Sequence, residues 1–77
     1  MEFQVEMTDT FGGEANYSWV KRASFNYADD VSDLALVRRV KRWAGISRLK
    51  CTVDNFGDMI AIKPVRSPVV VFINSVQ

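Results

Sequence analysis

Asp29-Asp30-Val31-Ser32-Asp33-Leu34-Ala35-Leu36-Val37-Arg38-Arg39-Val40-Lys41-Arg42-Trp43-Ala44-Gly45-Ile46 is the stretch with a helical period. On a 100° wheel Leu36, Val37, Val40, Trp43 and Ala44 share one arc, the pattern of a helix that buries one side. The acidic residues before Leu34 mark its start. Asp30 is the expected N-cap, accepting from free amides, and the neighbouring carboxylates suit the positive end of the dipole. The helix is expected to end near Ala44. Gly45 then serves as a left-handed C-cap, and Ile46 folds back onto the last turns.

Everything around this helix reads as strand and turn. Phe3, Val5 and Met7 alternate with polar residues over 2–8, the period of a half-buried strand. Asp9 to Glu14, with Gly12 and Gly13, reads as a turn. Tyr17, Trp19, Ala23, Phe25 and Tyr27 then share a face that Lys21 interrupts, so residues 16–27 complete a hairpin. After the helix, Leu49, Cys51 and Val53 alternate inward in a third strand. Asp54-Asn55-Phe56-Gly57-Asp58 turns the chain, and Met59 to Lys63 returns it. Pro64 to Pro68 breaks the ladder, because Pro68 has no amide to donate. Val69-Val70-Val71-Phe72-Ile73 is apolar on both sides, which suits a central strand or one covered by another subunit.

The expected fold class is therefore α+β: an antiparallel sheet with one helix packed on a face, in the order β-β-α-β-β-β. One short helix covers only one face of five strands. The other face is expected to carry Val20, Ile60 or Ile62, and Val70 or Phe72 among polar residues. That makes a homodimer or a bound partner a natural means of covering it.

Size and composition narrow the function classes. Seventy-seven residues make a single domain, 1–77. A chain this short buries only about 60% of its unfolded surface. Its one cysteine and lack of histidine remove disulfides within the chain and zinc sites of the common type. No cofactor or metal is expected. The 48% hydrophobic content supports a packed core rather than disorder. The N-terminus lacks the pattern of a signal peptide, and the longest apolar run is too short to span a bilayer. With a lone thiol, the expectation is a soluble cytoplasmic protein without a membrane partner. Ten basic and nine acidic residues leave a formal charge of +1. A dedicated nucleic-acid binder is usually more basic, and a DNA mimic far more acidic.

Catalytic constellations are sparse. Without histidine, the His-based triads and most proton shuttles are gone. Cys51 lies on an inward strand position with no imidazole partner, which reads as an inert thiol. Asp9, Glu14, Asp54 and Asp58 lie on two turns; at one sheet edge they would gather four carboxylates for a cation or a basic partner. The expectation is no enzyme. Two surfaces stand out instead. Arg38, Arg39, Lys41 and Arg42, with Arg48 and Lys50 nearby, form a local cationic patch attractive to phosphates. Tyr17, Trp19, Phe25 and Tyr27 are either base-stacking aromatics on a sheet or core under the helix, and a domain this small needs them inside.

The string Phe11-Gly12-Gly13-Glu14-Ala15-Asn16-Tyr17-Ser18-Trp19-Val20-Lys21-Arg22 resembles small conserved proteins of bacteriophage and prophage genomes. In these, FGGEANY-x-WV lies near the N-terminus, a basic helix sits mid-chain, and a later stretch is similar to Asp58-Met59-Ile60-Ala61-Ile62. The resemblance covers most of the chain but implies no catalytic residues. It implies a phage or mobile-element setting, where proteins this small often bind and modulate a host protein. Asn16 is a poor strand former directly after two glycines. Gly12, Gly13, Glu14 and Asn16 are thus candidates for a partner-binding surface or simply a glycine-bulged turn. The primary expectation is a non-enzymatic module that binds a host protein. The alternative is nucleic-acid binding through Arg38, Arg39, Lys41 and Arg42.

Overall fold

The structure, a computed structural model, describes residues 1–11, 14–27 and 31–76, with side chains apart from those of residues 11 and 14–18. β1 (Glu2–Phe11) and β2 (Glu14–Asn26) precede α1 (Asp33–Ala44). β3 (Cys51–Asn55), β4 (Met59–Pro64) and β5 (Val69–Val76) follow it. The strands form one antiparallel sheet in the order β2-β1-β5-β4-β3. The doubly apolar segment Val69–Ile73 is thus part of the central strand, with β1 on one side and β4 on the other.

The β1–β2 hairpin departs from the expected long glycine turn. Pairing continues to Phe11 and Glu14, and the irregularity falls inside the strands, between Thr8↔Val20 and Thr10↔Ala15. β2 carries extra residues there, as a bulge does. Thr8 anchors this place: it is fully buried, and its hydroxyl donates to the Trp19 carbonyl at 2.6 Å. The Thr10 backbone amide and hydroxyl both donate to the Pro68 carbonyl, tying β1 to the turn before β5.

The helix stops where expected but starts on a different cap. Ser32, in extended geometry, accepts from the Ala35 amide at 3.1 Å. The expected cap, Asp30, lies outside the described residues, as does Asp29. A hydroxyl placed directly before the first helical residue satisfies an otherwise unpaired amide, and Asp33 in the first turn suits the dipole. At the other end Gly45 has φ +76°, and the Gly45 and Ile46 amides donate to the Arg42 and Lys41 carbonyls. Ile46 is buried, as the fold-back geometry requires.

Leu36, Val37 and Val40 of α1 share one buried cluster with Phe3, Val5, Ile60, Ile62, Val71, Ile73 and Ile46. Cross-strand register explains the sheet contribution: Val5↔Ile73, Ile60↔Ile73 and Ile62↔Val71 place these side chains on one face. Both Ile60 and Ile62 therefore belong to the cluster, and the opposite face of β4 carries Met59 and Ala61 instead. Gln4, Glu6, Thr8, Val70, Phe72 and Asn74 share that opposite face by alternation. One expected inward position of the third strand is corrected: Leu49 precedes β3 and is 46% exposed. Val53 pairs with Ile62 and so lies on the cluster face as expected, but it is 48% exposed on the sheet's edge strand.

Candidate functional site: a cationic surface

Strand direction decides where the charges go. β1 ends beside the start of β5, since Asp9 pairs with Val69, whereas β4 starts beside the end of β5, since Met59 pairs with Asn74. The β1–β2 and β3–β4 turns therefore lie at opposite ends of the sheet. Asp9 and Glu14 cannot meet Asp54 and Asp58, so the four-carboxylate cluster does not form. Among the described residues no group of three potential metal ligands gathers.

The helix runs between these two ends. Asp33 at its start accepts from the Asn55 side-chain amide at 2.9 Å, beside the β3–β4 turn. Near its finish the Lys41 ammonium donates to the Leu49 carbonyl at 3.4 Å. Glu2, Asp33, Asp54 and Asp58 thus belong to one end of the molecule. Arg42, Arg48, Lys50 and Arg66 belong to the other, together with the acidic positions Asp9 and Glu14 of the β1–β2 turn end. A chain of almost balanced charge becomes polarised, with its cations at the negative end of the helix dipole.

Four rings and cations form a row beside the helix. The Lys21 ammonium sits 5.1 Å from the Trp43 ring centroid. Trp43 meets Phe25 edge-on, with centroids 6.3 Å apart and planes at 84°. The Arg39 guanidinium lies 5.3 Å from the Phe25 ring. Lys21 breaks the alternation of β2, and its ammonium uses an aromatic face of the helix in place of an apolar contact. The row also attaches Lys21 to the basic helix. Arg38, Arg39 and Arg42 are exposed, and Lys41 is half-buried.

Arg22 goes elsewhere. Register places it on the opposite face from Lys21, where it pairs with Glu6 at 3.4 Å. Among the described residues neither the helix arginines nor Arg48, Lys50 and Arg66 make an ion pair.

The aromatics separate into two environments. Phe25 and Tyr27 pack against the core, with Tyr27 edge-on to Phe3 at 6.3 Å. Trp19 is 42% exposed and lies within the irregular segment between Ala15 and Val20, where alternation is interrupted. The side chain of Tyr17 lies outside the described residues. Cys51 packs against the core and points its thiol at the Leu49 carbonyl, 3.5 Å away.

Of the partner-surface candidates, Gly12 and Gly13 lie outside the described residues. Glu14 and Asn16 lie on the backbone of β2, and their side chains lie outside the described set. Sequence reading missed Arg66: it stands apart from the other cations along the chain, and only the return of β4 beside β3 brings it near Arg48 and Lys50. Comparison with family models, with curated proteins and with solved structures gives no match. Among the described residues no helix is long and apolar enough to cross a membrane.

Proposed function

We propose that this chain is a small non-enzymatic binding module whose partner is a nucleic acid, held by the basic surface of α1. The observation that carries the reading is the Lys21–Trp43–Phe25–Arg39 row, which joins a strand cation to Arg39 of the helix that also exposes Arg38 and Arg42. Helix and sheet cations on one rigid support attract a phosphate backbone that isolated surface lysines would hold weakly. In this reading α1 lies across the face bearing Phe3, Val5 and Ile73, and its arginines point outward. Cys51 has a structural role.

The test is a fluorescence-anisotropy titration with labelled oligonucleotides at low and moderate salt. The expected result is binding that weakens steeply with salt, and a loss of roughly tenfold or more in an Arg38→Ala/Arg42→Ala variant. Salt-independent binding, or a variant that binds as the parent does, overturns the reading.

A second reading has its own support. The sheet face opposite the helix-side cluster carries half-buried Phe72, Met59 and Ala61 among Gln4, Asn74 and the Arg22–Glu6 pair. Such a mixture resembles the composition of a non-obligate protein interface. It fits a phage-encoded module that modulates a host protein in the bacterial cytoplasm, or a homodimer. Capture of the tagged protein from bacterial lysate with and without nuclease separates the readings. A stoichiometric protein that survives nuclease favours the second; loss of captured material on nuclease favours the first.

A further inference from the structure

Beyond the helix, the segment 46–50 and the turn after β4 face each other across a groove of about 390 Å³, lined by Arg48, Leu49, Lys50, Pro64, Val65 and Arg66. That volume lies in the roughly 300–1,000 Å³ range of small-ligand sites. The walls are tied together. The Val65 amide donates to the Lys50 carbonyl at 2.9 Å, extending the β3–β4 ladder by one step. The Leu49 amide donates to the Ile46 carbonyl, and the Leu49 carbonyl accepts from Lys41 of the helix. The groove is therefore braced before any ligand arrives, which lowers the ordering entropy of binding.

Its chemistry is unusual for a solvated turn. Leu49 is 46% and Val65 is 56% exposed, yet both sit among three cations that make no ion pair within the described residues. Among the described residues no carboxylate lines it. The complementary ligand has an anionic group for the cations and an apolar or π face for Leu49 and Val65.

Resting on the nucleic-acid reading above, we propose that this groove anchors an unpaired nucleotide, so that the protein prefers single strands to duplex. A duplex keeps its base faces stacked inside and offers the groove only phosphates, leaving Leu49 and Val65 without a counterpart. An unpaired nucleotide offers a phosphate to Arg48, Lys50 and Arg66 and a free base face to the apolar side chains. Lys41, bonded to Leu49, connects the groove to the helix surface, and the strand path runs from one to the other.

The test compares a short labelled oligothymidylate with a duplex of equal length. It uses the parent protein, Arg48→Gln/Arg66→Gln, Leu49→Ser/Val65→Ser, and Arg38→Ala/Arg42→Ala. The parent is expected to bind the single strand more tightly. Leu49→Ser/Val65→Ser is expected to lose about tenfold on the single strand while its duplex affinity changes much less, whereas Arg48→Gln/Arg66→Gln is expected to weaken both probes through lost phosphate contacts. All substituted positions are exposed, and circular dichroism verifies that each variant is folded. Equal affinity of the parent for both probes, or a Leu49→Ser/Val65→Ser variant that keeps the full single-strand preference, overturns the proposal. If the parent still binds with a steep salt dependence and the helix variant still weakens, the broader reading survives that failure. Absence of binding to either probe overturns both.

Discussion

The Lys21 ammonium lies 5.1 Å from the centroid of the Trp43 ring, joining a position of β2 where alternation calls for an apolar residue to the last turn of the helix. Strand and helix meet here through a cation and an aromatic face. The contact both stabilises the fold and decides which cations lie together.

Replacing Lys21 with Met keeps the stem and removes the charge. The expected loss is about 0.5–1 kcal/mol, the scale of a cation–π contact at an exposed site. It is read as a lower urea midpoint at unchanged m value. An unchanged midpoint would mean the ammonium contributes nothing beyond its methylene packing.

Leu36 is almost fully buried in the cluster shared by α1 and the sheet. Leu36→Ala is expected to cost about 2–5 kcal/mol through lost transfer energy and the cavity left behind. For a chain this small that is much of the total stability. Urea unfolding followed by circular dichroism measures it, and a cost well under 1 kcal/mol would contradict the observed packing.

Gly45 and Gly57 have φ values of +76° and +95°, and an added Cβ at either meets nothing within 4 Å. The cost of Gly45→Ala is therefore backbone strain alone, about 1–2 kcal/mol. Gly45→Asn should cost less, since Asn tolerates the left-handed region better. A crystal structure of Gly45→Ala with the helix end intact would accompany that modest loss; a much larger loss would point to a steric clash that the open surroundings exclude.

Ser32→Ala removes the acceptor for the Ala35 amide and is expected to destabilise by about 0.5–2 kcal/mol. Ser32→Asp should retain most of the stability, because its carboxylate can accept the same bond at the positive end of the helix. Equal effects of the two substitutions, measured by thermal unfolding, would show that another residue caps the helix.

The salt dependence of single-strand binding should fall by about 0.7 in log–log slope for each phosphate contact removed. Arg38→Ala/Arg42→Ala is thus expected to flatten the slope by about 1.4. Arg22→Ala should leave it unchanged, because Arg22 lies on the other sheet face and pairs with Glu6. An Arg22 effect as large as that of the helix arginines would place the nucleic acid on the opposite face.

Local signals in the sequence were sufficient for the elements. The period of Leu36, Val37 and Val40, the glycine at 45 and the alternation of Phe3, Val5 and Met7 each report the backbone conformation of their own neighbours. They therefore placed the helix, its C-terminus, the hairpins and the order β-β-α-β-β-β. The run Val69–Ile73 suited either a central strand or one covered by another subunit, and its pairing with β1 and β4 is what gives it the central place. The N-cap was harder to read: Asp29, Asp30, Ser32 and Asp33 are all competent acceptors, and only backbone geometry selects the hydroxyl of Ser32. What lies between elements was decided by tertiary structure. Strand direction sends the two acidic turns to opposite ends, and Trp19 lies in the irregular segment that interrupts the alternation governing Phe25. The contacts of Trp43 with Phe25 and Lys21 turn Lys21 from an interruption into a partner of the helix. Pairing of β3 with β4 carries Arg66 to Arg48 and Lys50, making a cationic groove from residues that show no pattern along the chain. Charge–charge and charge–ring interactions depend on distance in space, and a sequence spacing reports that distance only within a single helix or strand.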